Sequence, residues 1–176
     1  MACDFITTGR LEPCKDSVGG LKAVYFVDFG DLSAIGYDTD GTTITTVGSG
    51  VTAYKFDVRG ASTYTENIQS SRENGTTMFE QVLELTLKKL TKEDHKTIKL
   101  LSFNRPHILI EDNNGNVLLS GLEFGSDVTG GTIVTGGAMG DLSGYTLSFT
   151  GMEKAPANFI ANGDIDAAGF IVPDVA

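Results

Sequence analysis

The segment Thr76-Thr77-Met78-Phe79-Glu80-Gln81-Val82-Leu83-Glu84-Leu85-Thr86-Leu87-Lys88-Lys89-Leu90 constrains this chain more than any other. Phe79, Leu83, Leu85 and Leu87 fall on one side of an extended backbone, while Glu80, Glu84, Thr86 and Lys88 fall on the other. A period of two sustained over this length specifies a strand with one face buried and one face in water. Such a strand needs paired neighbours and an apolar layer over one face, because an isolated ribbon is marginal in water.

The residues that follow supply both. Thr91 is placed to cap a helix, and Asp94, three residues on, to return a bond in the manner of a capping box. Ile98 and Leu101, with His95 beside them, share one helical face. The helix is expected over about residues 92–104, ended by Arg105-Pro106 because a residue before proline leaves the α region. His107-Ile108-Leu109-Ile110 is then apolar on both faces, and Val117-Leu118-Leu119 follows the turn Asp112-Asn113-Asn114-Gly115-Asn116. Asn-Gly between two apolar runs is the strongest short hairpin signal.

Upstream, Leu21 to Phe29 is apolar on both faces, as a central strand covered on two sides would be. Between Gly30 and Gly50 a loop holds a Thr-rich strand around Ile44 to Val47, and Tyr54, Phe56 and Val58 then alternate with Lys55 and Asp57. From Ser62 to Met78 the strand propensity is high but the apolar content is low, with Arg72-Glu73-Asn74-Gly75 as a turn. Two readings of this hairpin stand: a flexible surface loop, or a ribbon that leans on another subunit. The glycines of Gly121 to Gly140 lack the Lys-Ser or Lys-Thr of a phosphate-binding loop and have no helix behind them, so bends and bulges are expected. Tyr145, Leu147 and Phe149 share a face of the last core strand. The organisation expected is an arm at 1–20, a β-barrel or sandwich at 21–153 with one flanking helix and a protruding hairpin at about 62–78, and an extension at 154–176.

Composition narrows the function. A formal charge of -10 argues against a surface that grips phosphates, since nucleic-acid affinity comes from Lys and Arg displacing counterions. An acidic surface can still serve DNA by failing to hold it. No basic region followed by an apolar run opens the chain, and nothing approaches the ~20 apolar residues of a membrane span, so synthesis in a cytoplasm without a membrane partner is expected. Cys3 and Cys14 fit either two reduced thiols or a disulfide closing the arm. His95 and His107 lack metal-site spacing, no Gly-x-Ser-x-Gly elbow is present, and pairs such as Glu93-Asp94 and Glu111-Asp112 suit a helix start and a turn. We therefore expect no metal, no cofactor and no catalytic residue. A β-sandwich that binds glycans or a receptor is the competing class, although the chain has no Trp and its Phe and Tyr mostly sit inside strand patterns.

The stretch from Glu111 to Gly121, then Val128-Thr129-Gly130-Gly131, and above all Ala138-Met139-Gly140-Asp141-Leu142-Ser143-Gly144-Tyr145-Thr146-Leu147-Ser148-Phe149-Thr150-Gly151-Met152-Glu153, resembles a small structural protein of phages and prophages of Bacteroidetes hosts. Ile6-Thr7-Thr8-Gly9-Arg10 and the Asn-Gly-Thr turn before Phe79-Glu80-Gln81 fit the same pattern. In layout the chain is similar to phage tail-tube and type VI secretion tube proteins. The resemblance implies a ring-forming virion protein with no catalytic residues to carry over, a hexamer or larger in a tail tube or a single ring in the neck or tail of a short-tailed, crAss-like virion. DNA would pass through without specific binding, and neighbouring rings and other tail or neck proteins would be its partners. On this reading Thr63, Tyr64, Thr65, Asn67, Ile68, Arg72, Glu73 and Asn74 are candidate ring-to-ring contacts together with the arm, and Glu80 and Glu84 are candidates to line the lumen.

Overall fold

The apolar run at residues 21–27 becomes the strand that both halves of the core share. A computed structural model describes residues 8–174. In chain order the strands are β1 (Leu21–Val27), β2 (Gly36–Tyr37), β3 (Thr43–Thr46), β4 (Val51–Thr52), β5 (Tyr54–Asp57), β6 (Thr63–Ser71) and β7 (Thr76–Lys88). The helix α1 (Lys92–Phe103) precedes β8 (His107–Asp112), β9 (Val117–Ser120), β10 (Asp127–Val134), β11 (Gly144–Glu153), β12 (Asn158–Ile160) and β13 (Phe170–Ile171). A seven-stranded sheet runs β2-β3-β12-β9-β8-β1-β5, a four-stranded sheet runs β10-β11-β7-β6, and β13 pairs with β4. The fold is mainly β and sandwich-like, and none of its sheets closes into a barrel.

Alternation along β1 explains the layering. Val24 and Phe26, with Ile108 and Ile110 of β8, face Leu83, Leu85, Leu147 and Phe149 of the smaller sheet, and Ile98 of α1 joins this core. Ala23, Tyr25 and Val27 point the other way, where Leu109, Val117 and Leu119 meet Ile44, Ala53, Ile160 and Phe170. Fully burying each of the larger side chains is worth about 1.5–3 kcal/mol, so these two layers outweigh any surface ion pair, which is worth about 1 kcal/mol or less. Residues 154–176, set apart in the sequence as an extension, are woven into the domain as far as Ile171. β12 lies between β3 and β9, parallel to the first and antiparallel to the second.

The helix starts where its cap specifies. The Thr91 hydroxyl accepts from the Asp94 backbone N–H at 3.0 Å and donates to the Asp94 carboxylate at 2.6 Å, so the return bond goes to the capping hydroxyl rather than to the capping backbone. The glycine run folds as strand and loop. Gly130 and Gly131 lie in β10 beside a register shift after Val128, and the Asp141 carboxylate holds the following loop by accepting from Gly137 and Ala138. Gly144 is required by space: a Cβ there would sit 2.0 Å from the Leu87 carbonyl oxygen.

Three buried polar side chains pin the loop after β9 to both sheets. Gln81 of β7 accepts from the Ser120 hydroxyl and the Gly121 N–H, each at 2.9 Å. Glu153 of β11 accepts from the Glu123 and Phe124 N–H groups at 3.0 and 2.9 Å. His107 accepts from the Gly30 N–H at Nε2, which leaves Nδ1 to donate to the Gly121 carbonyl at 2.6 Å. Its ring also stacks on Phe29, whose other neighbour is the Arg105 guanidinium.

Two outcomes follow from this packing. Phe149→Ala, which empties a buried site between the sheets, is expected to cost about 3–5 kcal/mol in denaturant unfolding. Burial lowers the His107 pKa from its ordinary 6.5, so the fold favours the neutral ring. Its contribution is complete above the unfolded pKa of about 6.5 and is lost as pH falls through the lowered value. Between about pH 7 and 5 the wild type should lose more stability than His107→Asn; equal losses would show that this ring does not titrate with unfolding.

Candidate functional site

The four-stranded sheet presents one apolar and one mostly polar face, and no further layer covers the polar face among the described residues. Register places Glu84 of β7 between Thr63 of β6 and Ser148 of β11, Val82 between Thr65 and Thr150, and Glu80 between Asn67 and Met152. All of these point away from the core, because their odd-numbered neighbours Gln81, Leu83 and Leu85 point into it. Asp127 of β10 extends the face, opposite Thr150. Between the turn at Arg72 and Lys88 the outward positions of β6 and β7 carry carboxylates, amides and hydroxyls together with Met78 and Val82, and among the described residues no Lys or Arg.

The two lumen candidates therefore share this face. Glu80 is half-buried by its neighbours and accepts from the Asn67 amide at 3.3 Å and the Gln69 amide at 3.2 Å. Glu84 is exposed. The hairpin candidates divide into groups. Thr63, Thr65 and Asn67 lie on the polar face, whereas Arg72, Glu73 and Asn74 form the exposed turn, held by the Asn74 N–H donating to the Ser71 hydroxyl. Tyr64 turns inward, packs against the core between the sheets and donates to Glu66. Its inward orientation is a consequence of strand alternation. Ile68 also points inward but lies beyond the end of the core, where it is 70% exposed.

Two features bear on assembly. The smaller sheet ends in β6 on one side and β10 on the other, and neither outer edge is paired among the described residues. An unpaired edge is a template for a further strand. The sheet also projects at both ends of its strands: the turn at 72–75 at one, and at the other the loop 135–143, with Met139 fully exposed. Sequence reasoning passed over Gln81 and Glu153. Gln81 was discoverable, since it occupies an odd position among Phe79, Leu83 and Leu85, where a polar group needs a buried partner.

Among the described residues no cluster of His, Cys, Asp or Glu has the arrangement of a metal site, and no helix is long and apolar enough to cross a membrane. Cys14 is exposed, and Cys3, on which a disulfide in the arm depends, lies outside the described residues. The chain matches no family model, no curated protein and no solved structure.

Glu80→Gln and Glu84→Gln should each change stability by no more than about 0.5 kcal/mol in urea unfolding, because the polar face supports nothing beneath it. A larger loss would assign these carboxylates to the fold.

Proposed function

We propose that this chain is a non-enzymatic virion subunit that closes into a ring, forming part of a phage tail tube through which DNA passes. The observation that carries this reading is a four-stranded sheet with two edges unpaired among the described residues and an outer face that bears Glu80, Glu84 and Asp127, with Lys88 at one end as its cation. The order β10-β11-β7-β6 is antiparallel throughout, so β6 of one copy and β10 of the next, related by rotation about a ring axis, meet antiparallel. Repeating that heterologous contact pairs both edges of the smaller sheet and closes a barrel that a single subunit does not close.

Ring size has a lower bound. With strands ~4.8 Å apart, four strands give each copy ~19 Å of circumference, and six copies give a backbone diameter of ~37 Å. Smaller rings leave little channel once side chains line the inside. Facing inward, Glu80, Glu84 and Asp127 repel phosphates, and the channel passes DNA without holding it. The projections at the two ends of the strands then face the rings above and below, where Arg72, Glu73 and Asn74 are available for contact.

Negative-stain electron microscopy of the purified protein, dilute and concentrated, tests the reading. Rings or stacked tubes with a central channel are expected, and a monomer at every concentration would overturn it. In assembled protein, Glu80→Lys with Glu84→Lys should convert the channel to one that retains duplex DNA at low salt and releases it as salt rises. Wild-type rings should retain none.

A further inference from the structure

We infer that Val172-Pro173-Asp174 is a strap that closes on the outer edge of β5, carrying β13 forward along that strand over the groove between β5 and α1. The groove encloses about 960 Å³, and its apolar surface comes from Phe26, Phe56, Leu87, Leu100 and Leu101. Pro173 and Asp174 line it beside Tyr54 and Lys55. The occupant is therefore the chain's own, and no second copy has to supply it.

Strand pairing decides which backbone groups the strap meets. The Val58 N–H donates to the Lys22 carbonyl, and the same ladder pairs Phe56 with Val24 and Tyr54 with Phe26. Alternation in an antiparallel ladder then turns the N–H groups of Tyr54 and Phe56 toward β1, and those of Ala53, Lys55 and Asp57 away from it. Ala53 finds a partner in β13, donating to the Ile171 carbonyl at 2.9 Å. The N–H groups of Lys55 and Asp57 have no backbone partner among the described residues, because β5 ends the sheet. β13 runs parallel to β4, with Phe170 opposite Val51 and Ile171 opposite Thr52. Continued past Ile171, that register sets Val172 beside Ala53, Pro173 beside Tyr54 and Asp174 beside Lys55. The next bond of the parallel ladder then runs from the Lys55 N–H to the Pro173 carbonyl.

Proline makes the strap weaker than the strand it extends. A full ladder would also have residue 173 donate to the Ala53 carbonyl, and Pro173 has no N–H, so that bond is lost. Val172 anchors the strap by packing on the core of the larger sheet. Asp174 comes beside Lys55, an exposed pair of opposite charge worth about 1 kcal/mol or less. The consequence is a choice of edge, since an unpaired edge is open to any strand. At the other end of the larger sheet β2 is only two residues long, a poor template. With β5 covered, the long edges left open among the described residues are those of β6 and β10. That outcome favours the ring contact proposed above, but the strap does not depend on it.

Residue-resolved amide exchange in dilute protein tests the strap, comparing the full chain with one that ends at Val172 and so keeps the anchoring side chain. Lys55 should exchange roughly tenfold faster or more in the shortened chain, while Ala53, bonded to Ile171, and Phe56, paired with β1, keep their rates. Equal exchange at Lys55 in the two chains would overturn the proposal. A second test keeps the chain at full length. In a Cys3→Ser, Cys14→Ser background, Lys55→Cys with Asp174→Cys should form a disulfide within single chains on mild oxidation of dilute protein. Lys96→Cys, on α1 outside the groove, should link to the same Asp174→Cys roughly tenfold less. Failure of the first pair to link, or linkage only between chains, would also overturn the strap, and either result leaves the ring reading to its own test.

Discussion

Burial of β1 on both faces is the constraint on which the rest of the structure depends. Because Val24 and Phe26 point to one side and Ala23, Tyr25 and Val27 to the other, the larger sheet must be covered twice. The smaller sheet and α1 cover one face, while β3, β12, β13 and their connections cover the other. This division of labour leaves the outer face of the smaller sheet without a layer of its own. Its residues are accordingly polar.

That outer face shows how a fold requirement becomes a functional opportunity. β7 supplies Leu83 and Leu85 to the core and Glu80 and Glu84 to the opposite face by alternation alone. Placement of carboxylates on this face costs the fold little, because exposed charges interact weakly through water. Confined to a narrow channel, the same charges repel a polyanion more strongly. In the proposed ring one property would become the other, with the edges of β6 and β10 as the contacts that close it.

What was legible in the sequence was local. The period of two in β7, the cap at Thr91 with Asp94, the Asn-Gly turn at Gly115 and the shared face of Tyr145, Leu147 and Phe149 each depend on neighbours a few residues apart. Features that depend on distant partners were not legible. The insertion of β12 between β3 and β9 pairs Phe159 with Thr43, more than a hundred positions away, and Asn158 with Leu119, and no spacing within Asn158–Ile160 names those partners. The clamp of Gln81, His107 and Glu153 around one loop joins three strands in the same way. For the candidate site, the sequence identified Glu80 and Glu84 as sharing a polar face, but the hairpin's composition gave no sign that Tyr64 turns inward while Thr63 and Thr65 do not. Only the pairing of β6 with β7 decides that.

The account stands or falls on whether the sheet continues between copies. Hydrogen exchange of the backbone amides in β6 and β10, compared between dilute and concentrated protein, measures this directly. We expect the outward-facing amides of both edge strands to exchange rapidly in the dilute protein and to become protected together on assembly. Assembled protein whose two edges still exchange as fast as in the dilute state would contradict the account.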